Sequence, residues 1–200
     1  SNNNMATAAT TSKIAREVGK LHPATTAVLL CDVQERFRPL IYRMETVINT
    51  CRYMTSVAAA LDIPIVGTQQ YTKVFGATVP DTFADPEALA ATPIFDKKLF
   101  SMLTDDVTEN LNELNKDSYI IMGIEAHVCV QQTCLDLLEA GSDVHVIVDG
   151  VSSQQAHESS IALQRLKSCI LYTTDAADDL SSVSYAAHSN IYIKTTECTH

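Results

Sequence analysis

The chain has 200 residues, 46% of them hydrophobic and 19% charged, with six glycines and six prolines. That balance excludes a disordered chain, a collagen-like repeat and a linker-dominated architecture. Fourteen basic against 24 acidic residues leave a net charge of −10, which repels phosphate backbones and anionic lipid and so disfavours nucleic-acid and membrane partners.

No apolar run approaches the roughly 20 residues that span a bilayer, so a soluble protein is expected. Six cysteines stand at positions 31, 51, 129, 134, 169 and 198, with no CxxC among them. A chain this long needs no disulfide to fold. Without a secretory apolar segment the thiols are expected reduced, in an intracellular, cytoplasmic setting. Ser1 to Asn4 ahead of Met5 read as an expression scar, and residues 1–23 as an N-terminal extension to one domain over residues 24–200. Residues 5–20 carry Lys13, Arg16 and Lys20 against Glu17, a faint mitochondrial presequence pattern that a plain helix explains as well.

Residues 26–33 (TAVLLCDV) form a nearly continuous apolar run, the mark of a strand buried on both faces. Residues 44–61 place Val47, Ile48, Cys51, Met54, Val57, Ala58 and Leu61 at helical spacing, and Asp62-Ile63-Pro64 ends that helix. A strand is predicted over 64–68, then a loop over 71–93 with a short helix around 86–90. Strand 118–124, helix 127–140, strand 143–149, helix 156–167 and strand 169–173 follow, with Gly141 as a left-handed helix cap. A weak helix is predicted over 175–188. Alternating strands and helices predict a three-layer α/β/α fold around a mostly parallel, doubly wound sheet of about six strands. Such sheets bind ligands beyond the carboxyl ends of their strands, which directs attention to Asp32, residues 68–71 and residues 123–129.

Cys129 falls in the first turn of the helix after strand 118–124. Unpaired N–H groups and the positive helix end there favour a thiolate and could hold an oxyanion. The same residue could equally be a buried structural thiol between Val128 and Val130. Asp32 ends the first strand, where it projects into the crevice or serves as a strand-end cap. Lys97 and Lys98 interrupt an apolar stretch, as a catalytic cation or as ordinary exposed lysines. His127 is a competing base for Cys129, although positions two apart on a helix do not face each other. Cys134 points about 140° away from Cys129 on an ideal helix, which argues against a resolving disulfide. The glycines form neither a GxGxxG nor a P-loop.

Asp32-Val33-Gln34-x-x-Phe37, Lys97-x-x-Phe100-Ser101-Met102 and Gly123-Ile124-Glu125-Ala126-x-x-Cys129-Val130, in that order, resemble the isochorismatase-like cysteine hydrolases. Thr68-Gln69-Gln70-Tyr71 followed by Gly76 looks most like the isochorismatase domain-containing branch. The resemblance implies an Asp32–Lys97–Cys129 triad, Lys97 being chosen over Lys98 by its distance to Ser101. It further implies a cis peptide at Ile124–Glu125 and an oxyanion hole from the N–H groups of Glu125 and Cys129. Gln34, Phe37, Gln70, Tyr71 and Phe100 are its pocket positions. The nicotinamidases of the superfamily carry an Asp-x-His metal motif after the second strand. Residues 68–72 have neither group, so no metal and no cofactor are expected. The expected activity is hydrolysis of a small molecule, at an amide or carbamoyl C–N bond, through a covalent thioester. The alternatives are a non-catalytic or redox-reactive thiol protein on the same fold, and a nucleic-acid-processing hydrolase. Homodimers or homotetramers are common in the family. Val74, Phe75, Val79 and Phe83 in the 71–93 loop call for cover by a partner, by the crevice, or by their own domain.

Overall fold

Every residue of the first strand, β1 (Thr26–Cys31), is buried, and alternate side chains serve two different cores. Val28 and Leu30 face one layer; Ala27, Leu29 and Cys31 face the other. The period of two in a strand makes that division unavoidable. The computed structural model describes residues 21–169 and 172–174. The readings of residues 5–20 and 175–188, and Cys198, lie outside them.

After β1 come helix α1 (Met44–Ala60), β2 (Ile65–Gln70), the short helices α2 (Thr72–Phe75) and α3 (Pro86–Ala91), and β3 (Ile94–Lys97). Then follow α4 (Asp105–Leu114), β4 (Ser118–Ile124), a π-helical turn (Ala126–Val130), α5 (Gln131–Glu139), β5 (Asp143–Ser152), α6 (Ala156–Cys169) and β6 (Tyr172–Thr174). The six strands are ordered β3-β2-β1-β4-β5-β6, and every neighbouring pair is parallel. α1 packs on one face through Val47, Ile48, Cys51, Met54 and Ala58. On the other face lie Val107 and Leu111 of α4, Cys134 and Leu137 of α5, and Ala162 and Leu166 of α6. This is the doubly wound three-layer α/β fold expected. The winding reverses between β1 and β4, so their carboxyl ends border the crevice in which such folds bind ligands.

Helix ends follow local rules. Ile63 N–H donates to Ala58 O and Asp62 N–H to Ala59 O, with Asp62 at φ 53°. Gly141, at φ 84°, closes α5 in the same way, with its N–H donating to Leu138 O and Ser142 N–H donating to Leu137 O. Both are Schellman motifs, the first built without glycine.

The structure adds β3 and α4, which sequence pattern did not suggest. β3 has four residues, two of them charged. α4 buries just Val107 and Leu111, and its signal lies in Thr104, whose hydroxyl accepts from Val107 N–H ahead of Asp105 and Asp106. β5 runs three residues past its predicted end, with a register shift against β4 between Ile121 and Gly123. α6 extends through Cys169, so the last strand begins at Tyr172. No helix among the described residues is long and apolar enough to cross a membrane.

The 71–93 loop turns inward more than expected. Val79 and Phe83 are buried in the α1-side core, and Phe75 stacks on Phe37 with ring centroids 4.5 Å apart. Val74 stays 48% exposed. Folding back on the domain therefore covers three of these four apolar side chains.

Gly123 is needed where β4 meets the crevice. Its φ is 146°, and a Cβ there would lie 2.6 Å from Cys31 Cβ and closer still to the Cys31 carbonyl oxygen. Gly123→Ala is expected to cost about 1–3 kcal/mol through this collision of two central strands. A urea midpoint unchanged from the parent chain would show that the strands can part without penalty.

Candidate active site

Three strand ends and the π-helical turn bring the site together. Asp32 follows β1 with φ 52°, which turns the chain as it leaves the sheet. Its Oδ1 accepts a 2.8 Å hydrogen bond from Thr68 Oγ1 at the end of β2. Its Oδ2 lies 2.6 Å from Lys97 Nζ at the end of β3, and both side chains are almost wholly buried. Lys97 Nζ also donates to Gln70 Oε1 at 2.7 Å and to the carbonyls of Leu99 and Phe100 at 3.0 Å. Three N–H bonds thus serve four acceptors, so the ammonium is an anchored charge rather than a proton donor to a ligand. Lys98 projects elsewhere, its Nζ 5.6 Å from the centre of the Tyr71 ring.

Burial works to depress the Lys97 pKa. The electrostatic influence of Cys31, Asp32 and Cys129, with the hydrogen bond to Asp32, outweighs it and holds the pKa above its ordinary value. Cys129 therefore sits within the electrostatic reach of the pair. It is buried in the π-helical turn, and π-turns of this kind recur at functional sites.

The chain enters that turn differently from expectation. No peptide bond among the described residues is cis, and Ile124–Glu125 is trans. The reversal is made by dihedrals instead, with Glu125 in the left-handed region at φ 54°, ψ 58°. Glu125 O then accepts from Val128 N–H at 2.9 Å, closing the turn below Cys129.

Cys31, one residue of the apolar run 26–33, is a site neighbour that the sequence did not single out. It is fully buried, and its thiol lies 3.6 Å from Asp32 Oδ2. Interaction with the Cys129 side chain, burial and the charge of Asp32 push the Cys31 pKa well up, against the opposing pull of Lys97. Its place beside Asp32 in an apolar run gave no separate signal.

Two expected pocket residues prove to be scaffolding. The Gln34 side chain is wholly buried; its Nε2 donates to Gln70 O and Gly76 O, and its Oε1 accepts from Gln70 N–H. The amide is thus spent on clamping the loop after β2 to the loop after β1. Phe37 is buried against Phe75. Gln70 spends its side chain on Lys97 and on Lys98 O, so it orients the ammonium. Tyr71 and Phe100 remain exposed, at 47% and 61%, and are free to meet a ligand.

His127 Nδ1 is 3.0 Å from Ser153 Oγ, 3.6 Å from Glu125 Oε2 and 3.9 Å from Glu158 Oε2. These contacts tie the imidazole to the start of α6 rather than leaving it as a base. Among the described residues, Glu125, His127 and Glu158 are the grouping with donors close enough to share a cation.

Burial also governs the protein's alkaline behaviour. The thiols of Cys51 and Cys134 are held far above a cysteine's ordinary 9.0, chiefly by desolvation. A raised folded-state pKa means that, above pH 9, the unfolded chain releases protons that the folded one keeps. Stability is therefore present below pH 9 and falls above it, approaching about 1.4 kcal/mol per pH unit for each thiol, or about 3 for the two. Lys97 adds the same sign once pH exceeds its ordinary 10.5. Urea unfolding at about pH 8 and about pH 10 measures the drop, and equal midpoints would refute it.

Comparison with known proteins places this geometry. The isochorismatase domain family matches residues 26–178. The secreted isochorismatase effector Isc1 of Phytophthora sojae is 41% identical over 165 residues, covering 82% of this chain and 79% of that protein. Isochorismatase domain-containing protein 2 of Danio rerio is 36% identical over 175 residues, 86% of each chain. The solved structure of the MAR1 ribonuclease from Caenorhabditis elegans superposes with a TM-score of 0.76 at 37% identity, covering 84% of this chain and 86% of that one. Fold and relatives together define a hydrolase built on a doubly wound α/β sheet. The chain belongs to the isochorismatase family.

Proposed function

We propose that this chain is a metal-independent cysteine hydrolase of a small molecule, cleaving an amide or carbamoyl C–N bond through Asp32, Lys97 and Cys129. The observation that carries this reading is the buried 2.6 Å Lys97–Asp32 pair beside Cys129 at the switch point of the sheet. Asp32 takes the Cys129 proton, and Lys97 holds the carboxylate and thiolate together by charge. The thiolate adds to the carbonyl, and the N–H groups of Glu125 and Cys129 receive the oxyanion. Asp32 then protonates the leaving nitrogen, and water releases the thioester. Tyr71 and Phe100 flank the substrate. No metal or cofactor enters these steps.

The test is a panel of amides, carbamoyl compounds and vinyl ethers, with mass spectrometry of the quenched protein. An acyl mass on the peptide containing Cys129 supports the reading; turnover with no adduct under any quench, and none on Cys129 with slow substrates, removes it. RNA belongs in the panel because the C. elegans relative is named a ribonuclease. The net charge of −10 opposes that substrate, and salt-sensitive RNA cleavage would overturn the small-molecule reading.

Free thiols at Cys31, Cys51, Cys129 and Cys134 support an intracellular, reducing setting. A homodimer or homotetramer is the assembly proposed. Its support is a set of exposed apolar side chains: Leu40, Tyr42, Tyr71, Val74, Leu99 and Phe100. Light scattering at micromolar concentration is expected to give at least twice the chain mass, and a single-chain mass would remove the oligomer.

A further inference from the structure

The Asp32 carboxylate is held by donors from three strands, and one of them has no part in the steps proposed above. Lys97 Nζ, from β3, is 2.6 Å from Oδ2. The Cys31 thiol, from β1, reaches the same oxygen at 3.6 Å and is a weak donor. Oδ1 is met from β2, by the Thr68 hydroxyl at 2.8 Å. Thr68 is 1% exposed. Beside an ionised carboxylate, which can only accept, its hydroxyl is the donor.

The backbone sets this contact up. Cys31 and Thr68 are partners in the parallel register of β1 and β2, and Asp32 N–H donates to Thr68 O at 3.2 Å. Asp32 itself has left the sheet, at φ 52°, so the pleat does not aim its side chain. Its last torsion, about Cβ–Cγ, is of the broad, two-fold kind that no staggered well fixes. A carboxylate held on Oδ2 alone could swing about that bond. Thr68 is stiff at its own χ1, as β-branched residues are, and it holds the second oxygen.

We propose that Thr68 is a positioning residue for the hydrolysis: its hydroxyl fixes the rotation of the Asp32 carboxylate, keeping Oδ2 on Lys97 and the carboxylate aimed for proton transfer. The proposal rests on Asp32 being the base assigned above, and it adds that the base is oriented by a hydroxyl from the neighbouring strand. The rival explanation is a buried hydroxyl that is paired merely because buried polar groups must be. On that view its loss costs stability and leaves the chemistry of Cys129 unchanged in the folded chain.

The test measures how fast iodoacetamide alkylates Cys129 in the folded whole chain at fixed pH, read by peptide mass, beside the urea midpoint of each preparation. Alkylation needs the same proton to leave Cys129 as hydrolysis does. Thr68→Val keeps the shape and removes the donor, and is expected to slow alkylation about tenfold or more, the effect of one hydrogen bond to a charged group. Thr68→Ser restores the donor and is expected to react within a few-fold of the parent chain. In an Asp32→Asn background, Thr68→Val is expected to slow alkylation no further, because no base is left to orient. A parent rate in Thr68→Val, a rate in Thr68→Ser as low as in Thr68→Val, or an equal further loss in the Asp32→Asn background each overturns the proposal. If Thr68→Val does not fold, Thr68→Ala against Thr68→Ser reads the same hydroxyl, and equal rates overturn it. Asp32→Asn alone separates the two readings. A parent rate there removes the base and this proposal with it; a slow Asp32→Asn beside a parent-rate Thr68→Val leaves the base standing and removes the role of Thr68 alone.

Discussion

Cys129→Ala is expected to lower kcat/KM by at least ~10³-fold on any substrate the chain turns over, with a stability change of about 1 kcal/mol or less. The two halves of that expectation have separate causes. The substitution removes one sulfur from a packed turn, and its backbone N–H remains available to an oxyanion. What is lost is the atom proposed to form the thioester, which would leave catalysis to binding and electrostatics. The measurement pairs steady-state kinetics with urea unfolding of the same preparation. Activity near the parent value would refute the nucleophile, whereas loss of activity with a collapsed midpoint would show a folding role instead.

The parts of this site that were legible in the sequence are those fixed by local pattern. Asp32 is conspicuous because it ends a run in which every residue is apolar enough for a doubly buried strand. Cys129 is conspicuous because it falls in the first turn after strand 118–124, beyond a Gly123 where any Cβ would collide with Cys31. The parallel sheet follows from alternation, since parallel neighbours need a crossover between them. Tertiary partners were not legible. Gln34 holds backbone groups 36 and 42 residues away, and nothing in its own neighbourhood marks it as a clamp. The direction of Val79 and Phe83 depends on α1 being there to receive them. A four-residue edge strand with two charges, β3, shows too few periods to be seen, although it carries Lys97 to the site. Ile124–Glu125 is a case where the bend was foreseen and its means were not: a left-handed Glu125 achieves it on a trans chain.

Lys97→Met is expected to destabilise the fold by about 3–5 kcal/mol and to lower activity as well. Breaking a buried ion pair from one side leaves the partner charge in a low-dielectric site without compensation. Asp32 is 1% exposed. Without Lys97, its Oδ2 keeps the Cys31 thiol at 3.6 Å, and its Oδ1 keeps the Thr68 hydroxyl. Neither neutralises a carboxylate. The cost should therefore fall sharply when the charge is removed too, since replacing both members of a buried pair by neutral groups is often close to neutral. Asp32→Asn in the Lys97→Met background is expected to recover most of the lost stability while leaving the chain inactive, because the proposed base is gone. Guanidinium unfolding of the parent, both single variants and the double variant gives the coupling directly. A double variant no more stable than Lys97→Met alone would mean that the lysine's bonds to Gln70, Leu99 and Phe100, rather than its charge on Asp32, hold this end of the sheet together.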